Sequence, residues 1–148
     1  MTSEQGAPEA QRALFLCTHN SSRSQMAEGL LNARGGGRYQ AFSAGTEPRV
    51  VHPLAIKAMV ELGIDISEAA GHRAKGMSEF AGQVFDLVVT VCDDAAEACP
   101  FFPGARRQIH WSFPDPSAAT GSEEERLAVF RAVRDAIAAR LDRFLAEE

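Results

Sequence analysis

The chain has 148 residues, of which 45% are hydrophobic and 24% charged, and its formal net charge is −5. This composition is that of an ordinary globular domain, and no apolar run reaches the roughly 20 residues that a membrane-spanning helix needs. A negative net charge without a basic stripe argues against nucleic acid as a partner. We therefore expect one globular domain with no nucleic-acid partner and no membrane partner.

The N-terminal segment and the cysteines indicate the cellular setting. Residues 1–11 are polar and lack the basic start and apolar middle of a signal peptide, so we expect a flexible tail at 1–11 and one domain at 12–148. Three cysteines, Cys17, Cys92 and Cys99, in a chain without such a signal favour a reducing compartment. The predicted location is the cytoplasm, where thiols are more often catalytic or redox-active than structural.

Hydrophobic periodicity divides the first half of the chain into alternating strands and helices. Ser24–Arg34 has apolar residues at helical spacing and ends at a run of glycines, and Pro53 suits a first helical turn. The predicted elements in order are a strand at Arg12–Cys17, a helix at Ser24–Arg34, a strand at Tyr39–Ala44, a helix from Pro53 to Gly63, irregular chain at Ile64–Lys75 and a short helical segment at Met77–Ala81.

The second half continues the same alternation. Phe85–Val91 is nearly continuous and apolar, as a central parallel strand should be, and Arg106–Trp111 predicts a fourth strand. Ser122 and Glu125 fit a capping box at the start of a long amphipathic helix. Strands that alternate with helices in one domain predict an α/β fold, here a four-stranded parallel sheet flanked by helices.

Three chemically active residues, Cys17, Cys92 and Asp115, lie just past the ends of predicted strands. The carboxyl ends of parallel strands meet at one edge of a sheet, and ligands bind in the crevice there. We therefore expect these residues to converge on one active site.

The loop from Cys17 to Ser24 has the form of an oxyanion cradle. Its backbone N–H groups should point inward, and the following helix adds its positive N-terminal dipole. Arg23 supplies a planar fork for two oxygens of an anion and, with the amides, favours the thiolate of Cys17. Ser24 either caps the helix or, as we favour, lies against the thiol. The predicted anion-binding residues are Thr18, His19, Asn20, Ser21, Ser22 and Arg23.

Cys92, Cys99 and Asp115 each have two interpretations. If the segment between the cysteines is helical, their Cα atoms lie roughly 10 Å apart, whereas a disulfide needs about 7 Å or less. The pair can therefore close only if the helix unwinds. Two cysteines near a strand end are either inert or a redox-active pair. The expected proximity of Cys17 favours the redox-active pair. Asp115 between two prolines is a turn residue or a general acid over the loop, and the same loop favours the acid.

These residues resemble those of the thioredoxin-coupled arsenate reductases, which share the fold of the low-molecular-weight protein tyrosine phosphatases. The resemblance covers nearly the whole chain from about Arg12. It implies a phosphatase-like fold with an anion-binding Cys-x5-Arg loop after the first strand, and the activity of a thioredoxin-dependent oxidoreductase. The matching segments are Cys17–Ser24, Ser43–Thr46, Val91–Asp93 with Cys99 at the family spacing, and Trp111–Pro116.

The resemblance implies a relay of three cysteines. The Cys17 thiolate attacks arsenate held by Arg23 and the loop amides, and Asp115 protonates the departing oxygen. Cys92 then attacks the sulfur of Cys17, arsenite leaves with two electrons, and Cys99 attacks Cys92. Thioredoxin reduces the resulting Cys92–Cys99 disulfide. Phosphate and sulfate should bind as analogues of arsenate. We expect a monomer with no bound cofactor.

A second set of residues is expected beneath the loop. Asn20, Glu28 and Ser43 match positions that bind potassium in one branch of the family, but Lys75 stands where that branch has an acidic residue. Our hypothesis is that the Lys75 ammonium takes the place of the cation, so that no metal is needed. Glu28 points back beneath the loop or is solvated. The histidines show no metal-ligand spacing and are expected at the surface or in loops, namely His19, His52, His72 and His110.

Other classes of protein remain as alternatives. A tyrosine phosphatase of this fold would share Cys17, Arg23 and Asp115, but it usually has a cysteine just before the arginine, where this chain has Ser22. Such an enzyme would not need Cys92 and a resolving partner. A non-catalytic anion sensor would bind arsenate without consuming thiols. Arsenate reductases that use a low-molecular-weight thiol are a nearer alternative, although these typically lack the resolving cysteines.

Overall fold

A parallel sheet forms the centre of the protein, as seen in a computed structural model that describes residues 9–93 and 97–148. The strand order is β2-β1-β3-β4, and each neighbouring pair is parallel. The predicted fold class, an α/β domain with a four-stranded parallel sheet, is confirmed. The strands are β1 (Gln11–Cys17), β2 (Tyr39–Gly45), β3 (Leu87–Thr90) and β4 (Gln108–His110).

Three α-helices accompany the sheet, and α3 packs against both of the others. Among the described residues, no helix combines the length and apolarity needed to cross a membrane. The helices are α1 (Arg23–Arg34), α2 (Pro53–Val60) and α3 (Glu123–Glu147), and short 3-10 segments lie at Glu68–Ala70, Met77–Phe80 and Pro116–Ala118.

Several boundaries differ from the predictions. β1 begins at Gln11, inside the predicted tail, because its N–H donates to Arg38 O; residues 1–8 of that tail lie outside the described residues. β3 and β4 are shorter than predicted, since Phe85 pairs with Ala105 only as an isolated bridge. α2 ends at Val60 rather than Gly63 because the following turn closes with tighter i→i+3 hydrogen bonds.

The two faces of the sheet bury separate clusters of side chains. Alternation along β1 sends Ala13, Phe15 and Cys17 into the cluster shared with the helices, and Leu14 and Leu16 into a smaller cluster on the other face. All four apolar residues before Cys17 are fully buried. The strand that carries the candidate nucleophile is therefore held by packing on both faces.

The predicted capping box at the start of α3 is confirmed. Ser122 Oγ accepts from the N–H of Glu125, and Glu125 Oε1 accepts from the N–H of Ser122. The predicted apolar stripe of this helix is buried, and its members are Leu127, Phe130, Val133, Ile137, Leu141 and Phe144.

The end of β2 lies directly beneath the Cys17 loop. Gly45 pairs with Cys17 across the sheet and donates its N–H to Lys75 O. A Cβ added to Gly45 would lie 2.5 Å from Thr18 O and 2.8 Å from Asn20 N, which is closer than real contacts allow. The loop can therefore rest on β2 only where the strand has no side chain.

We expect Gly45→Ala to lower the free energy of unfolding by about 1–3 kcal/mol, because the new methyl group must displace loop backbone. Gly76→Ala is the matched control: Gly76 bridges Gly45, its φ is −83°, and its nearest Cβ contact would be 3.6 Å. That control should change stability by less than about 1 kcal/mol. Urea unfolding of both variants measures the difference, and equal stabilities would contradict this account of Gly45.

Candidate active site

The loop between β1 and α1 is anchored through its carbonyl groups. Thr18 O, His19 O and Ser21 O accept hydrogen bonds of 2.8–2.9 Å from backbone N–H groups of residues 47, 49 and 52. Because the C=O and N–H of a trans peptide point in opposite directions, the next N–H groups face the inner side of the loop. The N–H of Asn20 donates to Cys17 Sγ at 3.2 Å. Inward N–H groups are what the predicted anion nest requires.

Asn20 shapes the turn of the loop. Its φ of +49° is the one positive value among non-glycine residues in the described ranges, and its side chain is fully buried. Asn20 Oδ1 accepts from the N–H of Lys75 and from Gln25 Nε2, which fixes the orientation of the amide. Its Nδ2 then donates to Ser24 Oγ at 2.8 Å. The strained backbone is thus held by three side-chain hydrogen bonds.

Ser24 lies against the thiol of Cys17. The distance from Ser24 Oγ to Cys17 Sγ is 2.8 Å, and Ser22, rather than Ser24, is the N-cap residue of α1. Since Ser24 Oγ already accepts from Asn20 Nδ2, its own proton is available for the sulfur. The Cys17 sulfur therefore receives two donors, the Ser24 hydroxyl and the Asn20 N–H.

Arg23 is a charged residue at the floor of the site and is only 2% exposed. It donates to Phe113 O at 3.2 Å and forms a two-point ion pair with Glu97. Burial would lower the pKa of Arg23, but the carboxylate of Glu97 and the negative charges of Cys17 and Asp115 raise it above its ordinary value. The guanidinium is therefore a permanent cation that needs an anion beside it.

Glu97 was missed by the sequence analysis. Its Oε2 accepts from Arg23 at 2.8 Å and from Thr18 Oγ1 at 2.6 Å, and its Oε1 accepts from Arg23 and from the N–H of Asp93 at 2.8 Å. The hydrogen bond from Arg23, followed by those from Thr18 and Asp93, lowers its pKa to about 2 against partial burial. The sequence did contain a signal for this contact. Glu97 lies between two cysteines that were expected near Arg23, and a carboxylate there could pair with the guanidinium.

Asp115 faces the same site. Its Oδ1 accepts from the N–H and the hydroxyl of Ser117, which is the turn-forming role. Its Oδ2 lies 3.8 Å from Arg23, and the side chain is 30% exposed. Both interpretations of Asp115 therefore fit the geometry: one oxygen holds the turn, and the other faces the oxyanion loop.

A cleft of about 160 Å³ opens over the loop. Liquid water occupies about 30 Å³ per molecule, so the cleft holds a small oxyanion with a few waters. Ser22 Oγ is buried and has no hydrogen-bond partner among the described residues, which marks a place for a ligand. The lining includes Cys17, His19, Ser21, Ser22, Arg23, Arg49, Val50, His52, Pro53, Asp115 and Ser117.

His52 forms one wall of this cleft, and its role is more than that of a surface residue. Its Nδ1 accepts from the N–H of Leu54 as the N-cap of α2, and its ring packs 4.6 Å from that of Phe130. Burial and, secondarily, Arg126 lower its pKa. The imidazole is therefore neutral at neutral pH and adds no charge to the site.

Cys92 and Cys99 form a disulfide, with their Cα atoms 6.1 Å apart. This separation is well below the helical spacing of about 10 Å, although residues 94–96 lie outside the described residues. Cys92 is fully buried two residues beyond Thr90, which pairs with Leu16 just before Cys17. Cys99 is exposed. The structure thus brings the pair to the same sheet edge as the oxyanion loop.

His110 lies beside this disulfide. One of its ring nitrogens and the two sulfur atoms lie within 4.8 Å of one another, and its Nδ1 is 2.7 Å from Thr90 Oγ1. Metal binding by cysteine requires thiolates. With the sulfurs of Cys92 and Cys99 bonded to each other, this group does not ligate a metal in the disulfide state.

Glu28 lies beneath the loop, which resolves one alternative left open by the sequence. Its Oε1 accepts from Ser43 Oγ at 2.6 Å and lies 3.9 Å from Lys75 Nζ, while its Oε2 lies 3.5 Å from His72 Nδ1. Burial lowers the pKa of Lys75, and the charge of Glu28 opposes this effect. His72 lies in a loop, as expected, and from there contacts Gln25 and Glu28.

The Cys-x5-Arg loop joins β1 to α1 and places the thiol of Cys17 beneath a small cleft. This arrangement is typical of phosphatase-like folds. The family described as low molecular weight phosphotyrosine protein phosphatase matches residues 12–148, and the chain belongs to this family. Its predicted phosphatase-like fold is confirmed.

Within this family, the chain is similar to proteins named arsenate reductase. The chain is 48% identical over 130 residues to an arsenate reductase of Halalkalibacterium halodurans and 47% identical over 130 residues to one of Bacillus subtilis; each alignment covers 88% of this chain and 91% of the relative. A solved arsenate reductase in the phosphate binding state superposes with a TM-score of 0.76 at 33% identity, covering 93% of this chain and 98% of that chain. The resemblance stated from the sequence is confirmed.

We expect the wild-type protein to unfold at the same temperature in potassium and sodium chloride of equal concentration. The ammonium of Lys75 already provides the positive charge beside Glu28, so a potassium ion would find no vacant place. Thermal unfolding in the two salts measures this, with Lys57→Gln as a control that removes an exposed lysine of another ion pair. A clear potassium-specific stabilisation of the wild type would contradict the hypothesis.

We expect Glu97 to make the stability of the disulfide form depend on acid pH. Because the folded-state pKa of about 2 lies below the ordinary value of 4.5, the stabilisation is present above pH 4.5 and is lost as pH falls through about 2. The urea midpoint difference between wild type and Glu97→Gln should therefore be largest near neutral pH and shrink in acid. A difference that stays constant between neutral pH and the acid range would refute this assignment.

Proposed function

We propose that the protein reduces arsenate to arsenite, with Cys17 as nucleophile and the Cys92–Cys99 pair as the source of electrons. The observation that carries this proposal is the disulfide at the end of β3, beside the oxyanion loop at the end of β1. The similarity to proteins named arsenate reductase over most of their length supports it.

The loop provides the binding step. The inward N–H groups, the unpartnered Ser22 hydroxyl and the Arg23 fork offer donors to a tetrahedral oxyanion. The Cys17 sulfur, which receives hydrogen bonds from Ser24 and Asn20, lies beneath this anion and attacks arsenic. Phosphate and sulfate should bind in the same place, since the donors recognise the tetrahedral oxygens rather than the central atom.

Asp115 supplies the proton in this proposal. An oxygen displaced by the Cys17 sulfur leaves most readily as water, so it needs a proton from a nearby acid. Asp115 Oδ2 faces Arg23 while Oδ1 is held by Ser117, so its position over the loop is fixed. The side chain lines the same cleft as Cys17.

The cysteine pair completes the electron balance. The Cys92 thiolate attacks Cys17 Sγ, the sulfur–arsenic bond breaks, and the electron pair of that bond leaves with arsenic, which passes from arsenic(V) to arsenic(III). Cys99 then attacks Cys92 Sγ and releases the Cys17 thiolate. The Cys92–Cys99 disulfide of this structure corresponds to the end of that sequence.

We propose thioredoxin as the electron donor. Cys99 is exposed and Cys92 is fully buried, so an external thiolate reaches the disulfide at Cys99 and displaces the Cys92 thiolate. The neighbouring Phe101 is 72% exposed and offers an apolar contact for a protein reductant. The proposal places the protein in a reducing compartment such as the cytoplasm, where this disulfide would be returned to thiols.

A low-molecular-weight tyrosine phosphatase is the second candidate, and the family match favours it. Hydrolysis would need Cys17, Arg23 and Asp115 but no further cysteine. The Cys92→Ser variant distinguishes the two functions. It should still hydrolyse phosphate esters if the protein is a phosphatase, but it should not reduce arsenate repeatedly.

The decisive assay is arsenate-dependent NADPH consumption with thioredoxin and thioredoxin reductase, repeated with glutaredoxin and glutathione. We expect turnover with the thioredoxin system. Cys17→Ser should lower it by roughly 10³-fold or more, because the proposed reaction begins with attack by the Cys17 sulfur and a hydroxyl is a much weaker nucleophile. Residual turnover in this variant would mean that another cysteine is the nucleophile.

Serine variants of the other two cysteines test the later steps of the relay. Cys92→Ser should react with arsenate once at Cys17 and then stop, whereas Cys99→Ser should stop later, with a Cys17–Cys92 disulfide detectable by mass spectrometry of a peptide digest. Full steady-state activity of either variant would refute the relay.

A further inference from the structure

Glu97 occupies the guanidinium fork of Arg23 as two oxygens of a substrate would. Both nitrogens of the Arg23 fork meet its two carboxylate oxygens, and Thr18 Oγ1 and the N–H of Asp93 complete the set. Each oxygen thus has two donors. Because the fork can meet only one anion in this two-point geometry, Glu97 and an oxyanion compete for Arg23.

Glu97 lies inside the ring that the disulfide closes. Glu97 lies between Cys92 and Cys99, two residues before the latter, and the bond holds their Cα atoms 6.1 Å apart. The N–H of Glu97 also donates to Asp93 O at 2.8 Å. Closing this short covalent ring confines the carboxylate near Arg23 and so raises its effective concentration there. Opening the bond removes that confinement.

Burial distinguishes this contact from an ordinary surface ion pair. The side chain of Arg23 is 3% exposed and that of Glu97 17% exposed, whereas pairs such as Lys57–Glu123 are more than half exposed on both sides. Removing the anion from a buried cation is costly unless another anion replaces it. Asp115, at 3.8 Å, is too distant to serve as that replacement through a hydrogen bond.

We propose that Glu97 is a further functional residue of the reaction: it is the internal anion that occupies the Arg23 fork when Cys92 and Cys99 are joined, so the disulfide and an oxyanion held by Arg23 exclude each other. This inference rests on the anion site of the proposed function. Glu97 keeps phosphate and arsenate out of the oxidised protein, and reduction of the disulfide releases the carboxylate and opens the site.

Titration with inorganic phosphate tests the proposal directly. The wild type and Glu97→Ala are each prepared reduced, and oxidised with only Cys17 free, as counted by alkylation and mass spectrometry. The oxidised wild type should bind phosphate at least about tenfold more weakly than the reduced wild type, since a charge-assisted two-point contact must be displaced. Oxidised and reduced Glu97→Ala should bind with equal affinity.

Two further variants complete the design. Glu47→Ala removes an exposed carboxylate that lines a neighbouring pocket with Glu97 and Cys99, and it should keep the tenfold difference. Glu97→Gln preserves the shape of the side chain and should also lose most of the difference in phosphate affinity between the oxidised and reduced forms. This variant keeps the proposal testable if Glu97→Ala folds poorly.

Linkage provides a second readout that does not involve turnover. If the disulfide weakens phosphate binding, phosphate must favour the dithiol by the same factor. In a dithiothreitol redox buffer, phosphate should therefore increase the reduced fraction of Cys92–Cys99 in the wild type and in Glu47→Ala but not in Glu97→Ala.

The outcomes separate this inference from the proposed function. Equal phosphate affinity of oxidised and reduced wild type, or an oxidised Glu97→Ala that binds as weakly as oxidised wild type, would overturn the role of Glu97 alone. A reduced wild type that binds neither phosphate nor arsenate would overturn the anion site and both proposals. The predicted pattern of phosphate binding supports the role of Glu97 even if no arsenate is reduced.

Discussion

A buried guanidinium that always needs an anion is the constraint on which the site depends. Arg23 is held in place by Phe113 O from one side and by the first turn of α1 from the other. Taking such a charge out of water is unfavourable unless a partner compensates it. The protein meets this requirement with Glu97, and in our proposal that carboxylate exchanges for a tetrahedral oxyanion.

The sheet makes this exchange possible by bringing distant parts of the sequence together. β1 and β3 are neighbours, so the cysteine that follows β3 lies beside the loop that follows β1. β2 supports the loop from below through Gly45, and the segment at Lys75 supports Asn20. The loop is thus fixed on several sides, whereas the cysteine segment changes its covalent state in the proposed relay. A rigid anion site and a variable partner are the two parts that a relay needs.

The predictions succeeded where local pattern determines structure. The types of the strands and helices could be predicted from hydrophobic periodicity. The Cys17 loop could be predicted from its own residues, because a Cys-x5-Arg segment between a strand and a helix has few possible shapes. The contact of Glu97 could not be predicted, since it arises where the pairing of β1 with β3 brings two distant segments together, which no local pattern encodes. His72 lies in irregular chain, as expected, but its contact with Glu28 was not predicted, because only tertiary structure brings the two side chains together. The ends of β3 and α2 were also set by tertiary pairing and a tightened turn.

His52 joins the cleft to the interior of the protein. Its ring rests on Phe130 of α3, its Nδ1 caps α2, and the same residue lines the wall above Cys17. The shape of the cleft is therefore set partly from behind, by the seam between α2 and α3. A truncation of Phe130 would soften that wall without touching any residue that meets the anion. The packing between α2 and α3 and the shape of the cleft are thus not independent, because both depend on the contact between His52 and Phe130.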